Sequence, residues 1–180
     1  MLKRLIFVAF LPLLASCASL SEDSCRVGDW SSIGYRDGAN GQLVSYINQH
    51  REACADYGIE PDADVWARAR AEGLKEYCTP ANVYNLGRRG REMNPVCREN
   101  TQGLQLANFY GLRYYEISEE IDDLEDEIDD ARRRLATEFT GTALTPEQIA
   151  MQQSLWSQIR KNQRDIRRLE RDLRRYDDLP

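Results

Sequence analysis

An all-α fold in two parts is what this sequence predicts: a small disulfide-stapled helical domain, then a long antiparallel helical hairpin of coiled-coil type. Three observations predict it. Apolar residues of the last third recur with heptad spacing in two runs. Between the runs, Thr140-Gly141-Thr142-Ala143-Leu144 breaks the pattern. Four cysteines are confined to residues 25–97, among short helix patterns punctuated by glycine.

The chain starts with Lys3 and Arg4, then an apolar run from Leu5 to Leu14, then Leu14-Ala15-Ser16-Cys17. The apolar run is too short for a hydrocarbon core of ~30 Å. The order of basic, apolar and small residues is that of a secretory signal over residues 1–16, and not of a membrane-spanning helix. The quartet ending at Cys17 resembles the lipobox of bacterial lipoproteins. That resemblance implies cleavage before Cys17 and acylation of its thiol. It also implies an outer-membrane, periplasm-facing address, because Ala18 and not an aspartate follows. An ordinary secreted protein is the alternative. Residues 17–24 then read as a lipidated cysteine and polar tether.

Composition narrows the function classes. The precursor carries a net charge of −6; removal of residues 1–16, with Lys3 and Arg4, leaves 164 residues at −8. Such a chain is a poor partner for nucleic acid or anionic surfaces. An even set of cysteines in an exported protein, Cys25, Cys54, Cys78 and Cys97, reads as two disulfides. Three pairings are possible. A loose echo favours Cys25–Cys54 with Cys78–Cys97: Trp30 to Gly38, Trp66 to Gly73 and Tyr84 to Gly90 each run from an aromatic residue to a glycine. Each echo reads as a short helix whose glycine lies at its end or at a close crossing. Zinc is the alternative use of the cysteines, weakened by the absence of Cys-x-x-Cys and by a single histidine, His50.

Other signals place helices between residues 43 and 97. Leu43, Tyr46, Ile47 and His50 or Arg51 share a face ending near Cys54, with Gly58 as its cap. Asp62 or Asp64 starts the next helix. Thr79-Pro80 starts another, ended by Asn94-Pro95. A β-hairpin turning at Asp37-Gly38 or Asn40-Gly41 is the competing reading of that stretch. Residues 25–97 form the domain, 98–103 a linker and 104–177 the hairpin.

The ordered set Asp29-Trp30, Gly34-Tyr35-Arg36-Asp37-Gly38, Gly41, His50, Cys54, Gly58, Gly73-Leu74, Tyr77-Cys78-Thr79-Pro80, Gly87-Arg88-Arg89-Gly90 and Val96-Cys97 resembles a group of uncharacterised bacterial lipoproteins, the domain of unknown function numbered 2799. The resemblance covers about residues 25–97. It implies a lipoprotein and brings no activity with it.

In the hairpin, Ile117, Ile121, Leu124, Ile128, Ala131 and Leu135 form one seam. Thr145-Pro146-Glu147-Gln148 restarts the helix with a capping box. Leu155, Ile159, Asn162, Ile166, Leu169, Leu173 and Tyr176 form the second seam. Residues 116–130 hold ten acids and no base; residues 160–175 hold eight bases and three acids. A turn near residue 142 brings acidic arm to basic arm, 117 opposite 173 and 128 opposite 162. An intermolecular coiled coil is the alternative. Tyr114-Tyr115 are expected to pack the hairpin onto the first domain.

Catalytic motifs are not found, and neither enzyme activity nor a cofactor is expected. His50 can act as a general base with Asp37 or Glu52 as orienter, or be a cap or surface residue. Trp30, Tyr35, Trp66, Tyr77 and Tyr84 can stack on a sugar ring or fill the core. Arg88 and Arg89 form a basic spot that can meet an anion or solvate a helix end. The leading expectation is a structural or adaptor lipoprotein with an envelope protein partner; the runner-up is a binding module for a cell-wall glycan or small ligand.

Overall fold

The structure, a computed structural model, describes residues 19–139 and 143–178. The expected signal segment, Cys17 and part of the 140–144 break lie outside these residues. Seven α-helices follow one another among the described residues: α1 (Glu22–Val27), α2 (Trp30–Ala39), α3 (Ile47–Ala55), α4 (Ala63–Tyr77), α5 (Pro80–Gly87), α6 (Thr101–Thr137) and α7 (Pro146–Leu173), with one 3-10 turn at Val44–Tyr46. No described residue is in a strand, so the β-hairpin alternative is not formed. Gly38 is inside α2, and Gly41, at φ 68°, turns the chain just after it.

Local chemistry sets most of the starts. Ser21, Asp29, Asp62, Thr79 and Thr145 each accept a backbone N–H of the first turn through a side-chain oxygen. Asp29 is held below the usual carboxylate range by the Ser32 hydroxyl and then its backbone N–H. At α7 the Gln148 side chain returns the bond to the Thr145 N–H at 2.8 Å, completing the capping box with Pro146 at the first position. One expected stop is displaced. Helix α5 ends at Gly87 rather than at Asn94-Pro95, because Gly90 at φ 69° closes its last turn.

Packing is arranged around two crossings where helix backbones touch. At α2 and α4, a Cβ on Gly34 or Gly38 would collide with the Trp66 or Arg70 carbonyl, and one on Gly73 with that of Tyr35. At α5 and α6, a Cβ on Gly87 would strike the Asn108 carbonyl and one on Gly111 that of Tyr84. Each crossing anchors one core. Cys25, Trp30, Ile33, Ile47, Cys54 and Trp66 form the first; Tyr77, Val83, Tyr84, Leu86, Leu104 and Ala107 form the second. Helix α4 contributes Trp66 to one and Tyr77 to the other.

Each core carries one disulfide, Cys25–Cys54 and Cys78–Cys97, the connectivity that the echo favours. With sequence separations of 29 and 19, each restrains the unfolded chain by about 3–4 kcal/mol in the loop-entropy account. No thiolate among these four is left for zinc.

Two boundaries move. Residues 19–24 are not a free tether: Leu20 packs on the first core and Glu22 begins α1. The break at 98–103 does not divide the packing either. Helix α6 starts at Thr101, and its first turns supply Leu104 and Ala107 to the second core.

Helix α7 packs along α6. Ile128, Ala131, Leu155 and Ile159 form a third core, with Leu135, Phe139 and Ile166 partly buried against it. Asn162, 3 % exposed in this apolar seam, donates to Glu127 at 2.8 Å, and Gln158 donates to the same carboxylate at 3.3 Å. The expected ion pairs between acidic and basic arms are not made. Among the described residues, the ion pairs within α6 and α7 join neighbours on one helix, as Arg132–Asp129, Arg133–Asp130 and Arg168–Asp165 do. The reason is angular. With Leu155 to Leu173 turned to α6, Arg160, Arg164, Arg167 and Arg171 fall on the opposite stripe of α7. All ten acids of 116–130 and all eight bases of 160–175 are exposed. Among the described residues no helix is long and apolar enough to cross a membrane.

The glycine crossings are testable. Gly34→Ala and Gly87→Ala should each destabilise the chain by at least about 1–3 kcal/mol, the usual cost of overpacking. Urea unfolding followed by far-UV circular dichroism measures it; midpoints within error of the parent would show that the helices do not approach this closely.

Candidate functional site

Among the described residues the most buried polar side chain is His50, 1 % exposed. Helix α3 carries it inward, α2 supplies Asp37 and α4 supplies Trp66. His50 Nε2 lies 2.7 Å from Asp37 Oδ2, and the Trp66 indole N–H donates to the same oxygen at 2.7 Å. On the other side of the ring, Ser19 Oγ lies 2.9 Å from His50 Nδ1. Nε2–H donating to Asp37 satisfies that side of the ring, and Ser19 Oγ engages Nδ1 on the other. Tyr46 meets the imidazole edge-on at 5.0 Å between ring centroids.

This corrects the expectation of a cap or surface histidine. His50 is an interior residue tying three helices and the N-terminal segment together, with Asp37 rather than Glu52 as its partner. The order Ser19–His50–Asp37 has the connectivity of a proton relay. Both ring nitrogens are engaged and the ring is buried, so accepting a proton from a bound molecule would require breaking one of these bonds. Ser19 is the member that sequence reasoning missed; it lies 31 positions from His50, and no local pattern links them.

A second cluster joins α5 to the end of α7. The Arg88 guanidinium lies 3.7 Å from the centroid of the Tyr114 ring and 5.7 Å from that of Tyr84. It also pairs with Asp177 at 3.5 Å. The Tyr84 hydroxyl lies 2.7 Å from the carbonyl oxygens of both Tyr176 and Asp177. Burial pushes the Tyr84 phenol above its usual range. Arg88 is therefore committed to the fold, while Arg89 is exposed. Tyr114 and Tyr115 do pack onto the first part of the chain, under Arg88 and against Gly90.

The aromatic candidates are divided. Trp30, Trp66, Tyr77 and Tyr84 are buried and offer no face to a sugar ring. Tyr35 is 39 % exposed, and its hydroxyl donates to Glu76, which holds its pKa above the usual value. A shallow groove between the 92–97 loop and α6, with Met93, Pro95, Phe109 and Leu112 along it, had no signature in the sequence.

Residues 29–112 match the family model described as "Protein of unknown function (DUF2799)". The match covers 84 of the 180 residues of the chain. The matched stretch runs from the cap of α2 through the first third of α6, so it contains both glycine crossings and the Asp37–His50–Trp66 network. It passes the boundary expected at Cys97 and ends just beyond Gly111, the α6 glycine of the second crossing. None of the curated proteins matches the chain, and no solved structure does.

Removing a partner from the network should cost stability. Asp37→Ala and His50→Ala are each expected to lower unfolding free energy by about 1–3 kcal/mol or more, because each strands buried polar atoms. Ser19→Ala should cost less, since its hydroxyl is partly exposed. Denaturant titration decides it: a His50→Ala chain as stable as the parent would remove the structural role.

Proposed function

We propose that this protein is a lipid-anchored component of the bacterial cell envelope, held at the outer membrane through Cys17 and facing the periplasm. In this reading it is not an enzyme. It acts as a structural or adaptor protein through contacts with an envelope protein partner, presented on an antiparallel coiled-coil hairpin made by α6 and α7.

The observation that carries the adaptor reading is the exposed charge of that helix pair. Ile128, Ala131, Leu155 and Ile159 pack on each other while Ile149, Met151 and Trp156 stay exposed, and the Arg88–Tyr84–Asp177 cluster fixes its base. Ten acids and eight bases face solvent. The contacts pair rising with falling numbers: Arg134 with Met151, Glu127 with Gln158 and Asn162, Arg113 with Tyr176. An antiparallel hairpin has this order. At 1.5 Å per residue, α6 is about 55 Å long, much longer than its footing on α5 requires. Two disulfides fit an oxidising compartment. The docking of Ser19 and Leu20 leaves almost no slack after Cys17, so an acylated chain would hold its first core close to the bilayer.

Intact mass of the protein extracted from membranes tests the anchor. Acyl groups on a chain starting at Cys17, and four protons gained on reduction, are expected; an unacylated chain would end the lipoprotein reading. The hairpin is tested by the pair Glu127→Cys and Gln158→Cys, which should close an intrachain disulfide under mild oxidation. Failure to close it would separate the two helices. Envelope partners captured equally by the parent and by a chain with its α6 acids neutralised would remove the adaptor role of that surface.

A further inference from the structure

The acidic block of α6 and the basic block of α7 are exposed and, among the described residues, make no ion pair with each other: Asp129, Asp130 and Arg168 pair with neighbours on their own helix, and Glu127 accepts from Asn162 and Gln158. On α6, Glu119, Asp122, Asp126 and Asp129 recur at intervals of three and four on the stripe opposite the seam; on α7, Arg160, Arg164, Arg167 and Arg171 do the same. One stripe points away from α7 and the other away from α6. The two outer faces of the pair therefore carry opposite charge.

They also lie at the same height. The contacts of Glu127 with Asn162 and of Arg113 with Tyr176 set residues 116–130 beside residues 159–173 along the pair. A copy placed alongside in the same orientation brings its acidic stripe against the basic stripe of its neighbour, in register and without a shift along the axis. The contact is heterologous, so it repeats and builds a row rather than closing as a dimer. Copies anchored in one membrane share this orientation.

Other occupants fit less well. A polyanion docked on the basic stripe leaves the acidic stripe, on the far side of the pair, unmatched. A polycation meets the converse. Only a partner carrying both signs at this spacing satisfies both faces, and a second copy of this chain does so.

We propose that the α6–α7 pair is a self-association surface, on which the acidic stripe of one copy docks against the basic stripe of the next. This rests on the hairpin reading above; closure of the 127–158 crosslink together with a monomeric parent would overturn the inference and leave that reading intact.

Sedimentation of the full chain in detergent tests it. The weight-average mass should exceed one chain at about 0.05 M salt and return to one chain at about 1 M, where the screening length falls to ~3 Å. A chain with Arg164→Glu, Arg167→Glu and Arg171→Glu should stay single, as should one with Glu119→Arg, Asp122→Arg and Asp126→Arg. Mixing the two should restore association, and this arm guards against misfolding of either variant. In membranes, a zero-length carboxylate–amine crosslink should join Lys161 to Asp126, Asp129 or Asp130 of a differently isotope-labelled copy. The assignment is clean because Lys3 and Lys75 are the only other lysines. A parent chain that is single at every salt, reversed chains that still associate, folded reversed chains that fail to pair when mixed, or binding of the single parent to phosphatidylglycerol through the same arginines would each overturn the proposal.

Discussion

At two places in this molecule one helix backbone lies directly on another, with no Cβ between them. Gly34, Gly38 and Gly73 make this possible for α2 on α4, and Gly87 and Gly111 for α5 on α6. Much else depends on that closeness. It brings Asp37 on α2 within hydrogen-bond reach of the Trp66 indole on α4. It sets Asn108 of α6 where its amide reaches the carbonyls of Val83 and Arg91 while its oxygen accepts the Met93 N–H. A larger residue at either crossing would spread the helices and open both polar networks along with the cores.

The polar interior supplies orientation where a small core supplies little. A domain of this size buries only a modest share of its surface, and two disulfides restrain the unfolded chain. Hydrophobic burial is non-directional, whereas a fully satisfied buried network admits few arrangements. Asp37, His50, Trp66 and Ser19 fix how α2, α3, α4 and the N-terminal segment meet; Asn108 does the same for α5, α6 and the loop to Cys97. Among the described residues no buried side-chain polar atom lacks a partner. Asn162 and Glu127 play a comparable part between α6 and α7, where a polar residue in an apolar seam sets register at some cost in stability.

Charge works on a different scale. Most ion pairs among the described residues are exposed and local, as Arg26–Glu22 and Arg134–Glu138 are, and pairs of this kind add little to stability. The blocks on α6 and α7 add little to the fold by contact. Their consequence is an exposed surface of one sign on α6 and of the other on α7.

Much of this was legible in the amino-acid sequence because it is local. Caps at Asp62, Thr79 and Thr145 follow from side chains within one turn of the backbone groups they satisfy. The seams of α6 and α7 follow from helical periodicity, and the helical class follows from both. Even the glycines announced a close crossing, though not its partner. Tertiary structure decided the rest. The pairing of Gly34 with Trp66, the reach of Ser19 to His50, the burial of the histidine and the capture of Arg88 by Tyr114 and Asp177 join residues with no sequence relation. The extension of the second core into α6 was hidden because the 98–103 segment resembles a linker in composition while Leu104 and Ala107 complete a buried face. The charge blocks were visible, but their direction was not: only the angle at which α7 lies on α6 turns the bases outward. Local order is written in neighbouring residues, whereas contacts across the chain depend on how helices share space, and one sequence read alone does not contain that geometry.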